Sequence, residues 1–239
     1  MMVSTHQLTE SVEALYATFN AYPLHADTHA CPCCHRPEQE RLLHSKPLRQ
    51  LDANELQMFA FDAILVWGDI PGFKHFLPRI FELMSTLDSP TLDMADPAII
   101  YGKLRYGDWL SWPEPEVNAV RRYLMFLWQA VLQSGPADCD VEDWLCGISQ
   151  AEDDLSPYLA AWSHTNSIAA ANHLATLVTE HAFVQVDARP RNFWAQRKEQ
   201  FDQVRRWLLS DAAKDKLRGL PVAAQDDSVR LAMRVLDLD

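Results

Sequence analysis

The stretch DANELQMFAFDAILVWGDIPGFKHFLPRIFELM, residues 52–84, decides the fold. Its opening Asp52-Ala-Asn-Glu55 has the form of a capping box: the Asp52 carboxylate accepts a backbone N–H three residues on, and Glu55 reaches back to the Asp52 amide. The apolar run behind it predicts a helix ending at Trp67, with Gly68 as the left-handed stop. Asp69 then caps a second helix, in which Phe73, Phe76, Leu77, Ile80 and Leu83 recur at steps of three and four and so share one face. Pro78 within it predicts a bend, because proline removes a helix donor and crowds the preceding turn.

The same pattern extends in both directions. Leu8, Val12, Leu15, Tyr16 and Phe19 make one stripe of a first helix that stops before Pro23. Asp96-Pro97 opens a helix that runs to Tyr106 and ends on Gly107. Ser111-Trp-Pro-Glu114 reads as a start signal for a long helix through Leu132, closed by Gly135-Pro136. Further helices are expected over 141–150, 155–163, 167–183, 193–209, 211–218 and 227–236. With seven glycines and few β-branched runs, essentially no sheet is expected. The expectation is therefore all-α, a single helical domain over 1–239 of about ten short-linked antiparallel helices. Its architecture is an irregular bundle or a HEAT-like stack. Trp67-Gly68-Asp69 and Tyr106-Gly107-Asp108 echo each other 39 residues apart, near the period of a helix-pair repeat, without clearly recurring a third time.

At 239 residues and 48% hydrophobic composition the chain can bury a sizeable core. Its longest apolar run, Tyr123–Trp128, is six residues, whereas a bilayer span needs roughly 20. Residues 1–35 hold no Lys or Arg and no compact apolar block, so no secretory signal is expected and the cytoplasm is the expected compartment. Thiols there stay reduced, in keeping with an odd count of five cysteines. A net charge of −12 argues against nucleic acid, whose phosphates need a basic face.

The charge is unevenly placed. Tyr123–Ala188 holds nine acids and no Lys or Arg, while Arg189–Arg234 holds eleven bases and six acids. Such blocks read either as solvated helix faces or as an electrostatic docking face for a partner.

Residues 23–37 form a Cys/His-rich loop. Zinc takes four ligands in a tetrahedron, and Cys31-Pro-Cys-Cys34 has the spacing that delivers two thiolates from one tight turn. His25, His29, Cys33, His35 and His44 are the candidates for the remaining two positions; the expected structural zinc set is Cys31, Cys34, His29 and His44. No standard finger spacing is present. A thiol chemistry reading uses the same cysteines beside a helix start at Pro37-Glu38, but no strand precedes them as a thioredoxin-like motif requires. Plain reduced thiols lining a loop are the third reading.

Elsewhere the residues read mainly as structure. Asp62 lies in an apolar helix and calls for a partner, for which His75 or Arg79 is expected, as an ion pair or as a proton-handling couple. His164, His173 and His181 lack the spacing of a zincin pair and read as hydrogen-bonded histidines. Glu152-Asp-Asp154 reads as a charge run at a helix start, Cys139 and Cys146 as ordinary buried thiols. Trp109 and Trp112, in a turn, serve packing or anchor a partner. Phosphate-loop, dinucleotide and nucleophile-elbow motifs are absent.

Cys31-Pro-Cys-Cys34, Lys46-Pro-Leu-Arg-Gln-Leu51, Trp67-Gly-Asp69 and Phe73-Lys-His-Phe-Leu-Pro-Arg79, with Gly102-Lys-Leu-Arg105, resemble a group of uncharacterised bacterial proteins without an assigned activity. The resemblance covers much of the chain. It implies a bacterial intracellular protein and transfers no catalytic residue.

Two functions follow as expectations. One is a non-enzymatic helical interaction module whose acidic middle docks a basic protein, of the kind that antagonises a toxic enzyme. The alternative is a metal- or thiol-dependent enzyme centred on Cys31 and Cys34.

Overall fold

The computed structural model describes residues 2–24, 37–87, 96–185 and 187–237. Twelve α-helices are present among them, with no β-strand and one isolated bridge, Ala63 to Trp67. They are α1 (Met2–Phe19), α2 (Pro37–Leu43), α3 (Ala53–Asp62), α4 (Ile70–Met84), α5 (Pro97–Tyr106), α6 (Glu114–Gln133), α7 (Val141–Ala151), α8 (Ser156–His164), α9 (Ile168–Glu180), α10 (Lys198–Leu208), α11 (Asp211–Arg218) and α12 (Asp227–Val235). The all-α expectation holds. No helix among the described residues is long and apolar enough to cross a membrane. The chain divides into two compact units, Met1–Leu127 and Trp128–Asp239, with the division inside α6.

In the first unit the α1 stripe of Leu8, Val12, Leu15 and Phe19 is buried and α1 packs on α4. The predicted caps are in place. Asp52 accepts from the Glu55 amide at 3.0 Å while Glu55 accepts from the Asp52 amide at 2.9 Å, and Asp69 accepts from Gly72 at 2.8 Å. α4 buries Phe73, Phe76, Leu77, Ile80, Phe81 and Met84, and each such side chain contributes about 1.5–3 kcal/mol by leaving water. Leu83, expected on this face, is only half-buried; Phe81 and Met84 take the inner positions. Phe76 meets Phe59 at 4.5 Å between ring centroids, and Phe81 stacks on Tyr123 at 4.8 Å.

Helix α3 corrects one expectation. It stops at Asp62 instead of continuing to Trp67, because the chain reverses tightly over 63–67 and the amides of Val66 and Trp67 both return to the Asp62 carbonyl. The reversal sets the Trp67 ring edge-on to Phe59 at 5.7 Å and puts Ile64, a β-branched residue, at φ 69°. Gly68, at φ 76°, is the left-handed residue that the sequence predicts. After α5, Gly107 has φ −83° and the left-handed position falls on Asp108, at φ 48°. Ser111 does not cap α6. It sits in a short 3₁₀ turn, Trp109–Ser111, its hydroxyl donates back to the Asp108 carbonyl, and Glu116 bonds to Pro113.

The second unit is organised around tryptophans. Trp128 meets Trp162 edge-on at 5.3 Å, and Trp162 meets Trp207 at 4.8 Å. Their indole N–H groups donate to Tyr158 O, Ala170 O and Ser163 Oγ respectively, so the buried Trp128 and Trp162 and the half-buried Trp207 each have their one donor satisfied. α9 buries Ala170, Ala171, Leu174, Ala175 and Val178, and packs against α12, which turns Val229 and Ala232 inward. The helix expected over 193–209 divides into a 3₁₀ turn, Asn192–Gln196, and α10. The division lies at Arg197, a buried residue whose side chain crosses to the end of α7.

Candidate functional site

Cys31, Cys34 and His29 lie outside the described residues. His44 follows the last turn of α2, its Nε2 3.5 Å from a Glu40 carboxylate oxygen, and the same carboxylate accepts from the Trp67 indole at 3.1 Å. Among the described residues, no group of three or more His, Cys, Asp or Glu side chains is placed to hold a metal ion.

In the first unit a cavity of about 520 Å³ lies between the end of α1, the 3₁₀ turn Leu48–Gln50 and α4. Tyr16, Asn20, Tyr22, Arg49 and His75 line it together with Pro23, Pro47 and Pro78. The polar groups around it have internal bonds. Arg49 grips Glu13 through two bonds, at 2.8 and 2.6 Å, and lies 3.6 Å over the Tyr16 ring. Tyr16 donates to Glu82; burial first, and then that carboxylate, holds its hydroxyl well above the ordinary range. Tyr22 donates to Glu116 at 2.6 Å, and Glu116 faces Lys74 at 2.6 Å; both charges are almost fully buried. Lys74 also donates to Tyr22 Oη at 3.1 Å and lies 4.2 Å from the Trp112 ring.

These bonds also correct the expectation for Asp62. His75 Nδ1 bonds to the Tyr22 carbonyl at 2.8 Å, and Arg79 donates to Leu51 O and to Glu82, so neither is the partner of Asp62. The nearby cation is Lys103, whose pKa burial lowers and Asp62 partly restores; its ammonium donates to the Phe61 carbonyl. Trp109 and Trp112 are 1% and 7% exposed, so packing is their use, with the Trp112 indole donating to Gly107 O at 2.8 Å.

In the second unit the carboxylates converge on the start of α7. Asp140 caps it by accepting from the Glu142 amide at 2.9 Å, and Asp138 accepts from Gly135 at 3.0 Å. His181, just past α9, places Nε2 3.6 Å from Asp140. The Asp140 carboxylate beside it raises the His181 pKa, and the same contact lowers that of Asp140. His173 is fully buried; as an N–H donor its Nε2 serves Val131 O at 3.1 Å and Ser134 O at 2.9 Å, while Nδ1 has no partner. Burial lowers its pKa, with partial compensation from those carbonyls. Cys139 is buried too, and burial with Asp138 and Asp140 nearby pushes its thiol up to about 12. His164 bonds to the Ala160 carbonyl at 2.7 Å.

The Glu152-Asp-Asp154 run does more than face solvent. Asp154 accepts from the amide of Ser156, the first residue of α8, at 2.9 Å. Arg197, the residue just before α10, donates to the carbonyls of Ser149 and Glu152 and, at 2.8 Å, to the Asp153 carboxylate. Gln200 and Gln203 both donate to Asp153 O, at 2.7 and 2.9 Å. The exposed carboxylates between 123 and 188 are Asp138, Asp143, Asp153, Asp154, Glu180 and Asp187.

Sequence reasoning missed the buried Lys74–Glu116 pair and the role of Arg197. The available signal for the first was a lysine in the apolar run Phe73-Lys-His-Phe, three residues from Leu77 on the inner face. Comparison with protein-family models, curated proteins and solved structures finds no match to this chain.

Proposed function

We propose that the protein is a non-enzymatic helical interaction module of the bacterial cytoplasm whose acidic second unit docks a basic protein, as an antagonist does with a toxic enzyme. The observation that carries this reading is the set of six exposed carboxylates on a stretch that contributes no lysine or arginine of its own. Asp153 pairs with Arg197, and the summed negative charge of the stretch acts on whatever approaches. Like charges held on a rigid helical scaffold favour fast encounter with a cationic surface, and that attraction weakens as salt screens it. The Cys/His loop enters this reading as a structural brace, with zinc held by Cys31, Cys34, His29 and His44.

The test is affinity capture from bacterial lysate on the full chain at low and at high salt, beside an Asp138→Asn/Asp143→Asn/Glu180→Gln variant. A basic protein retained at low salt, released at high salt and lost in the variant supports the reading. Retention of no partner at either salt overturns it.

A further inference from the structure

The loop between α8 and α9, the first turn of α9 and the helix α11 enclose a cavity of about 420 Å³ in the second unit. Lys216 enters it half-buried and donates to Thr165 O at 2.7 Å, the carbonyl just past the end of α8. That bond uses one of the three donors of the ammonium. No carboxylate lies within ion-pair distance of Lys216 among the described residues, and Asp215 on the same wall pairs with Arg218 at 2.8 Å. The contrast within the molecule is clear: Lys46, Lys74, Arg49, Arg79 and Arg197 each hold a carboxylate.

An ammonium drawn out of water without a counter-ion is costly, and burial lowers the Lys216 pKa accordingly. Beside it the exposed amide of Asn166 offers two more donors. Ile168, Leu220 and Pro221 supply the apolar part of the lining, beside the hydroxyl-bearing Ser163, Thr165 and Ser167, and Ile168 is 53% exposed. A cavity of this size that sets apolar side chains beside convergent polar groups suits a small amphiphilic molecule.

We propose that this cavity binds a small organic carboxylate, its head group on Lys216 and Asn166 and its hydrocarbon body against Ile168, Leu220 and Pro221. The site is independent of the acidic docking face.

The Trp207 indole N–H, which donates to Ser163 on the cavity wall, is a built-in reporter. In the ¹⁵N-labelled full chain its indole signal, assigned through Trp207→Phe, is followed during titration at constant ionic strength with 4-methylpentanoate, benzoate and inorganic phosphate. A saturable shift with the organic carboxylates is expected, at least tenfold weaker in Lys216→Gln and kept in Lys216→Arg. Ala212→Leu, which fills the cavity from an exposed position on α11 while leaving the cation, is expected to weaken binding as well, and decides the matter if the lysine variant does not fold. Absence of a saturable shift in the parent, equal affinity in Lys216→Gln, or phosphate binding as tight as the organic acids overturns the proposal.

Discussion

Lys74 and Glu116 illustrate how a single buried pair constrains its surroundings. Each is within a few per cent of full burial, and Tyr22 and the Trp112 ring complete the shell. Removing one partner strands the other charge, so Glu116→Gln is expected to cost about 3–5 kcal/mol, read as a lower urea midpoint, whereas Lys74→Met with Glu116→Leu recovers most of the loss. A double variant as unstable as the single one would show that the pair is not what the single change breaks. Cys139 makes a second residue-level case: with its thiol pushed up to about 12, it should resist iodoacetamide in the folded protein at pH 8 and react in denaturant. The proposed zinc set rests on spacing alone and is checked by elemental analysis of untagged protein. About one equivalent is expected in the parent and none in Cys34→Ala, which should also melt at a lower temperature.

At the level of elements, Arg197 replaces a conventional stop. α7 ends without glycine, and the Arg197 guanidinium takes the carbonyls of Ser149 and Glu152 that a left-handed residue would otherwise turn toward water. Arg197→Ala leaves those buried carbonyls without their donor and removes the ion pair to Asp153, and is expected to lower stability by about 2–4 kcal/mol with an unchanged urea m-value. Helix positions were legible in the sequence wherever caps and punctuation mark them: Asp52, Asp69 and Asp96 cap α3, α4 and α5 in the structure. The reading failed where an apolar run carries no punctuation. Ala63-Ile-Leu-Val-Trp67 continues a helical period, yet the turn is dictated by where Trp67 packs, a tertiary contact that local pattern does not encode. Ser111 misled for the opposite reason, since its hydroxyl finds a nearer carbonyl at Asp108. The acidic face was visible as a charge block, but the cavity beside Lys216 was not, because it joins residues about fifty positions apart in the chain.

For the whole molecule the charge imbalance of −12 makes stability a matter of pH, and two histidines of the second unit push it in opposite directions. His173 is buried neutral with a lowered pKa. From that value up to about 6.5 the unfolded chain binds the extra proton, so this group makes stability rise with pH across the window. His181 is raised by Asp140, so its stabilisation is fully present below about 6.5 and is lost as pH rises through the folded value. Asp140 is lowered by the same contact; its contribution is present above about 3.9 and is lost as pH falls through its folded value. The His181–Asp140 contact therefore stabilises most between about 4 and 6.5, the interval in which both partners carry charge. Melting temperatures of His181→Gln and His173→Gln, taken from pH 5 to 8.5, separate the two effects. His181→Gln should fall furthest below the parent at pH 5.5 and approach it at pH 8.5. His173→Gln should start lower through lost packing yet show a shallower decline on acidification, since it has no imidazole to protonate. A parent curve that keeps the same slope in both variants would mean that neither histidine links protons to folding, and that the acid limb belongs to the carboxylates around α7.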